Sequence, residues 1–364
     1  VGEGESPVED MGVDADIWQG KRVFLTGHTG FKGGWMALWL TQKGAVVRGY
    51  ALDPATEPNL FTVAKVGSVI EDVRGDIRDG AKLDKAMTEF APEVVFHMAA
   101  QPLVRYSYED PIGTYETNVI GTARVLDAVR RTKSVRAVVS VTTDKVYENV
   151  ETLRPYVETD PLGGYDPYSS SKACAEIVSA AFRQSYLAGS GVGVATARAG
   201  NVIGGGDWSE DRLIPDLVKG FLAGEAVKIR RPLAIRPWQH VLESLKGYMQ
   251  LAEKLLSDDA AKYAKAFNFG PAESDAQTVE WVVERMAKAW GSGAKWEIDA
   301  EPGVHEAGYL KLDASRARGE LGWKPKLDLE TTLEWVVDWY KAWQSGEEMQ
   351  SFTLRQIAKY ERLG

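Results

Sequence analysis

KRVFLTGHTGFKGGWMALWLTQKG, residues Lys21–Gly44, passes from an apolar run into glycine and then into helical spacing. Lys21–Gly27 predicts a strand, and Phe31–Gly44 a helix laid against a sheet. Between them Gly27, Gly30 and Gly33 are spaced G-x-x-G-x-x-G. Glycine permits a tight turn and close approach of a pyrophosphate, and the helix start offers free N–H groups and partial positive charge. That is the context a dinucleotide fingerprint requires. The spacing departs from G-x-G-x-x-G, and a plain turn is the alternative reading. Gly27, Gly30, Phe31, Lys32 and Gly33 are the candidate cofactor contacts here.

Outward from this unit the pattern repeats. Strands are expected at Ala45–Leu52, within Ser68–Asp79, at Glu93–Ala100, at Ala137–Val141 and at Gly191–Arg198. Helices are expected at Lys82–Pro92, Asp110–Thr132 and Pro167–Leu187. Alternation of this kind predicts an α/β fold with a doubly wound parallel sheet. After Arg198 the pattern loosens into AGNVIGGGDWSEDR, which reads as a long loop. Helical spacing returns at Leu213–Gly224, Val241–Leu256, Val279–Trp290 and within Glu320–Gln344. The expected organisation is an N-terminal extension over 1–20 and a dinucleotide-binding domain over 21–200 with returning segments near 237–270. A smaller mixed α/β substrate lobe is expected from 201–236 and 271–350.

Composition narrows the classes of function. The 364 residues carry a net charge of −9, and no cluster of Lys and Arg suggests a nucleic-acid partner. No apolar run is long enough to span a bilayer, so no membrane association is expected. One cysteine, Cys174, precludes an internal disulfide. Residues 1–17 are acidic and lack the features of a signal peptide, so the cytoplasm is the expected compartment. No metal is expected.

Four further features carry chemistry. Asp53 ends the second strand, where an acid can bind the adenosine ribose and disfavour a 2′-phosphate; this favours NAD, with Arg48 nearby and a turn before Pro54 as the counter-reading. Asp76 follows the third strand and suits either the adenine end of the cofactor or a helix cap. Tyr168 and Lys172 in YSSSK are four apart, which places both on one helix face. A lysine there can lower the phenol pKa and make tyrosine a usable base. TTDKVYEN, Thr142–Asn149, puts Thr143, Asp144 and Lys145 just past the fifth strand, where ligands of such sheets bind. The pair Asp144 and Lys145 is either a loop ion pair or a proton-transfer site. His97 and His240 read as packed histidines, and the tryptophans as core.

Glycine loop, threonine after the fifth strand and Tyr-x-x-x-Lys on the next helix together resemble the extended short-chain dehydrogenase/reductase superfamily, over about Lys21 to Gln344. HMAAQ (His97–Gln101), NVIGT (Asn118–Thr122) and RAGNVIGGGDW (Arg198–Trp208) belong to the resemblance. Within the superfamily the chain is similar to the CDP-D-glucose 4,6-dehydratase family, in TGHTGFKGGW, YALDPATEPNLF, AAQPLVR, TTDKVYEN, PLGGYDPYSSSKACAE and RPWQHVLE. Val146 departs from a position where that family often has cysteine.

The resemblance implies NAD-dependent conversion of CDP-D-glucose to CDP-4-keto-6-deoxy-D-glucose and water. Tyr168, aided by Lys172, would take the 4-hydroxyl proton as hydride leaves C4 for NAD. Thr143 would hold the same oxygen. The C5 proton would then leave, Asp144 would protonate the departing 6-hydroxyl, and the hydride would return to C6. Whether Lys145 is the C5 base or stabilises the enolate stays open, because lysine is a base only when deprotonated and its reference pKa is about 10.4. The resemblance also implies cofactor contacts at Ile77, Ala99, Ala100 and Gln101, substrate contacts at Asn201, Arg236 and His305, and a homodimer or homotetramer paired through Asp110–Thr132 and Pro167–Leu187. Two other classes remain: a dehydratase or epimerase for another nucleotide sugar, and a non-catalytic NAD sensor.

Overall fold

The computed structural model describes residues 16–152, 154–299 and 309–363. Residues 1–15 of the expected extension, and the candidate His305, lie outside the described residues.

The strands in chain order are β1 (Arg22–Thr26), β2 (Val46–Ala51), β3 (Glu71–Arg74), β4 (Val94–His97), β5 (Ala137–Val141), β6 (Gly193–Ala199), β7 (Asn201–Ile203), β8 (Ala226–Ile229), β9 (Ile235–His240), β10 (Ala266–Phe269), β11 (Ala276–Thr278) and β12 (Lys295–Ile298). Seven of them form a parallel sheet in the order β10-β6-β5-β4-β1-β2-β3. Every residue of β4 and β5 is buried. Such continuous apolar strands arise when helices cover both sheet faces. One face carries Phe31–Gln42 and Val241–Leu255; the other carries Gly80–Phe90 and Gly121–Arg131. The doubly wound sheet expected from the sequence is therefore the observed one.

Strand order reverses between β1 and β4, where Thr26 pairs with His97. The loops after these strands, Gly27–Gly30 and Met98–Gln101, open into the crevice that binds ligands in such sheets. His97 packs in this seam as expected, with Nδ1 2.8 Å from Thr26 Oγ1 and Nε2 3.0 Å from Thr122 Oγ1. Burial pushes its imidazole down to about 3.

Two long helices flank the crevice. Pro111–Arg131 is continuous through a wider turn at Glu116–Ile120. Pro167–Phe182 begins on Asp166, which accepts from the Ser169 N–H at 2.8 Å, with proline in its first turn.

Three elements differ from the sequence reading. The glycine-rich stretch after Arg198 contains β7, which pairs with β9 in a three-stranded sheet β11-β9-β7. Three residues beside glycine are too short for an alternation to register. The chain is also packed before residue 20: Trp18 is fully buried, and its indole N–H donates to Glu253 at 2.8 Å. Beyond residue 348 a further helix, Met349–Glu361, sets Tyr360 edge-on to Trp39 at 5.6 Å between centroids.

Candidate active site

β5 delivers Val141 to the carboxyl edge of the sheet, and the next residues leave it. Thr143 is extended (φ −152°) and caps a single tight turn, Asp144–Val146. Asp144 is only 2% exposed, although it is a carboxylate. Its Oδ1 accepts from the Thr143 hydroxyl at 3.0 Å, and its Oδ2 has no partner among the described residues. Burial raises its pKa, against the pull of Lys145, Thr143 and Arg236. A carboxyl so placed favours the protonated form that an acid catalyst needs.

Tyr168 and Lys172 are buried on the first turns of their helix and face the same cavity as Thr143, Asp144 and Lys145. The cavity has a volume of about 360 Å³ and also takes in Ala100, Asn201 and Arg236. Lys172 and Tyr168 make no hydrogen bond to each other among the described residues. Lys172 Nζ donates instead to the Val141 carbonyl at 3.1 Å. Burial pushes Tyr168 up to about 12, with the Thr143 hydroxyl and the Arg212 guanidinium pulling the other way. Burial also pushes Lys172 down to about 8, against Glu176.

Behind these groups lies a buried ion pair. Glu176 Oε2 accepts from Arg198 Nη2 at 2.9 Å and from Thr196 Oγ1 at 2.6 Å, and its Oε1 accepts from Thr142 Oγ1 at 2.5 Å. Both carboxylate oxygens of Glu176 are thereby engaged, one of them by the threonine that precedes Thr143.

The glycine loop is shaped for the close approach of a dinucleotide. Gly27 has φ +82°, and a Cβ there would lie 2.7 Å from Ala99 N; one on Gly33 would lie 2.1 Å from the Gly27 carbonyl oxygen. Only glycine lets the loop, the helix start and the β4 loop approach this closely. Gly30 caps the helix without a side-chain bond, which leaves the first N–H groups for an anion. These residues fit the pyrophosphate of NAD.

The other cofactor candidates are dispersed around this loop. Asp53 is 89% exposed at its side chain and 3.5 Å from Arg74, while Arg48 is held by Glu71 at 2.6 Å. Asp76 accepts from the Arg78 backbone N–H at 2.8 Å and from its guanidinium, which lowers its pKa. Ile77 is buried beside it. Gln101 is fixed by Asn118, whose Oδ1 accepts from the Gln101 N–H at 2.9 Å. Phe31 packs on the main core. Lys32 turns into the cavity rather than along the loop: its Nζ donates to the Tyr248 hydroxyl at 2.8 Å. Burial, then Lys172 and Arg212, pushes Lys32 down to about 7.

Some cavity residues were not singled out by sequence reasoning. Arg212 projects from the start of Leu213–Ala223 and is held by Asp207 at 3.0 Å. Outside the cavity lining, His28 of the glycine loop is buried with Nε2 2.8 Å from Asp72. The loop residue Arg212 carried one available signal, its place just ahead of a helical run.

The sequence profile described as GDP-mannose 4,6 dehydratase matches residues 24–336. The chain belongs to this dehydratase family. A CDP-glucose 4,6-dehydratase of Salmonella typhimurium is 53% identical over 96% of this chain and 98% of its own. Among solved structures, a dTDP-glucose 4,6-dehydratase from Streptomyces venezuelae with NAD and TYD bound superposes with a TM-score of 0.76 at 25% identity, covering 90% of this chain and 99% of that one. A UDP-glucose 4-epimerase from Thermus thermophilus in complex with NAD has a TM-score of 0.74 at 28% identity, covering 87% and 98%. Within the family fold, the cavity described above lies outside the carboxyl ends of the parallel strands, between the glycine loop and β8.

Proposed function

We infer that the protein catalyses NAD-dependent 4,6-dehydration of CDP-D-glucose, giving CDP-4-keto-6-deoxy-D-glucose and water. The observation that carries this reading is the meeting, on one cavity, of a buried carboxyl and a lysine with the Tyr168–Lys172 pair. An oxidation needs only the second pair; an elimination also needs an acid and a group that deals with the C5 proton.

When bound, NAD supplies the hydride acceptor for C4 and returns that hydride to C6. Tyr168 is assigned the 4-hydroxyl proton, and Thr143 the hydrogen bond that orients that oxygen. Ketone formation at C4 acidifies the neighbouring C5 proton. Lys145 lines the cavity beside Asp144, and it is assigned to this proton, either as its acceptor or as the charge that stabilises the enolate. Asp144 is assigned to protonate the departing 6-hydroxyl, which its burial supports. Asn201 and Arg236 are assigned to the sugar nucleotide; a guanidinium suits a diphosphate. His305 is kept as a proposed substrate contact.

The same reading assigns residues 21–200 with 237–270 to the cofactor, and 201–236 with 271–350 to the substrate. It takes the working form as a homodimer or homotetramer in the cytoplasm. No described helix is long and apolar enough to cross a membrane.

The test is turnover of a panel of CDP-, dTDP-, UDP- and GDP-linked hexoses in heavy water. The expected result is a 6-deoxy-4-keto sugar from CDP-D-glucose with deuterium at C5. A C4 epimer alone would make the protein an epimerase, and no conversion of any sugar would make it a sensor.

A further inference from the structure

The helix Leu213–Ala223 packs on the strand β8, where Gly220 meets Val227, and together they line one wall of the cavity with Leu213, Asp216, Val227 and Ile229. Arg212 and Asp216 are four residues apart, so they share a face and differ by about 6 Å along the axis. Arg212 marks the end near the chemistry, since its guanidinium acts on both the Tyr168 phenol and Lys32. Asp216 therefore stands one turn farther from the reacting centre. A sugar nucleotide held with its hexose at Tyr168 and its phosphates against Arg212 and Arg236 would extend its base along this outer wall.

Asp216 is half-buried, and among the described residues its carboxylate makes no hydrogen bond or ion pair. Burying a carboxylate without a partner is unfavourable. Other acids on this wall are compensated within the protein: Asp207 holds Arg212 at 3.0 Å, and Asp211 holds Arg105 at 3.1 Å. Lys219 and Arg105 act on Asp216 through space without pairing with it, so its carboxylate oxygens stay available to a donor from outside. Val227 and Ile229, on the strand beside it, offer apolar surface for a flat ring.

We propose that Asp216 reads the base of the substrate, by accepting a hydrogen bond from the exocyclic amine of cytosine. Cytosine presents a donor at this position, whereas uracil and thymine present a carbonyl oxygen, which a carboxylate repels. The proposal rests on the CDP-D-glucose reading above and names the residue that sets its nucleotide preference.

The test compares kcat/KM for CDP-D-glucose and UDP-D-glucose in the wild-type holoenzyme, Asp216→Leu and Asp216→Asn, with inhibition constants for free CDP and UDP. The expected result is a fall of about 10- to 100-fold in the CDP/UDP preference of Asp216→Leu, carried mainly by KM and mirrored in the inhibition constants. Asp216→Asn keeps the shape and an acceptor oxygen, so it narrows the preference less, and it serves if the leucine variant fails to fold. A CDP/UDP preference unchanged in these variants overturns the proposal, as does an equal loss for both nucleotides. If the wild type itself rejects CDP-D-glucose, the functional reading fails, and the cytosine assignment with it.

Discussion

Asp144 and Lys145 are neighbours in sequence but not in environment. The carboxyl is buried with one oxygen unpartnered, while the lysine side chain reaches the cavity. Lys145→Met should still reduce bound NAD in a single turnover yet form product about 10²- to 10⁴-fold more slowly, the usual weight of one acid–base group. Absorbance of the reduced cofactor and product analysis read the two steps separately, and normal turnover would overturn the assignment. The pH dependence divides the same way. Burial raises both Tyr168 and Asp144, the first to about 12. A base must lose its proton, so cofactor reduction should rise with pH. An acid must keep its proton, so loss of water from the 4-ketone should fall as pH passes the raised Asp144 value, and Asp144→Asn should remove that fall. A product step that climbs steadily with pH in the wild type would exclude Asp144. The five proposed catalytic residues were legible because short spacings bind them to one strand end and one helix turn. Lys32 was legible as a glycine-loop candidate, but its turn into the cavity was not: its bond to Tyr248 spans 216 positions, and no local pattern reports that distance. Asp216 stayed hidden for the same reason, since its lack of a partner is a tertiary fact.

Glu176 lies one turn beyond Lys172 on the helix Pro167–Phe182 and ties that helix to the sheet. Its carboxylate takes Thr142 from the end of β5 and Thr196 and Arg198 from β6; Arg198 Nη1 then donates to the Tyr147 hydroxyl at 2.9 Å, and Tyr147 donates to Asn268 of β10 at 2.7 Å. Both charges are 4% exposed. Removing one partner of a buried pair leaves the other uncompensated and costs about 3–5 kcal/mol. Glu176→Ala should lower unfolding stability by that amount in urea titration and lower kcat, because Thr142 precedes Thr143 and loses its anchor. Unchanged stability would mean that Arg198 finds another partner. Elements of this size were largely readable from alternating apolar strands and amphipathic helices. What failed was short: β7 has three residues and no helix cap or period to announce it. It exists because β9 offers it an edge, which is a property of the assembled lobe.

At the scale of the whole molecule, the sequence carried the winding of the sheet but not its closure. Trp18 and the helix Met349–Glu361 come from the two ends of the chain, and each looks unremarkable until it meets a surface from the middle. The helices Pro111–Arg131 and Pro167–Leu187 raise the remaining question, because they pack together and still expose apolar residues. Tyr115 and Ser170 hydroxyls meet at 2.7 Å, and Asn118 Nδ2 donates to Ser171 at 2.9 Å, so the pair presents a fixed face. On these helices Ile112 is 68%, Ile120 49%, Ile177 57% and Tyr186 59% exposed. A face of this kind suits an isologous contact, in which each patch meets its own copy. Light scattering at micromolar concentration should therefore give twice the chain mass or a multiple of it. Ile177→Glu places a charge on each side of a two-fold contact, so two buried carboxylates meet instead of two apolar side chains, and the desolvation cost is incurred twice. The variant should run as a monomer with an unchanged far-ultraviolet circular dichroism spectrum. A wild type of single-chain mass would remove the dimer from the proposal, and an Ile177→Glu variant that stays dimeric would move the contact to another face.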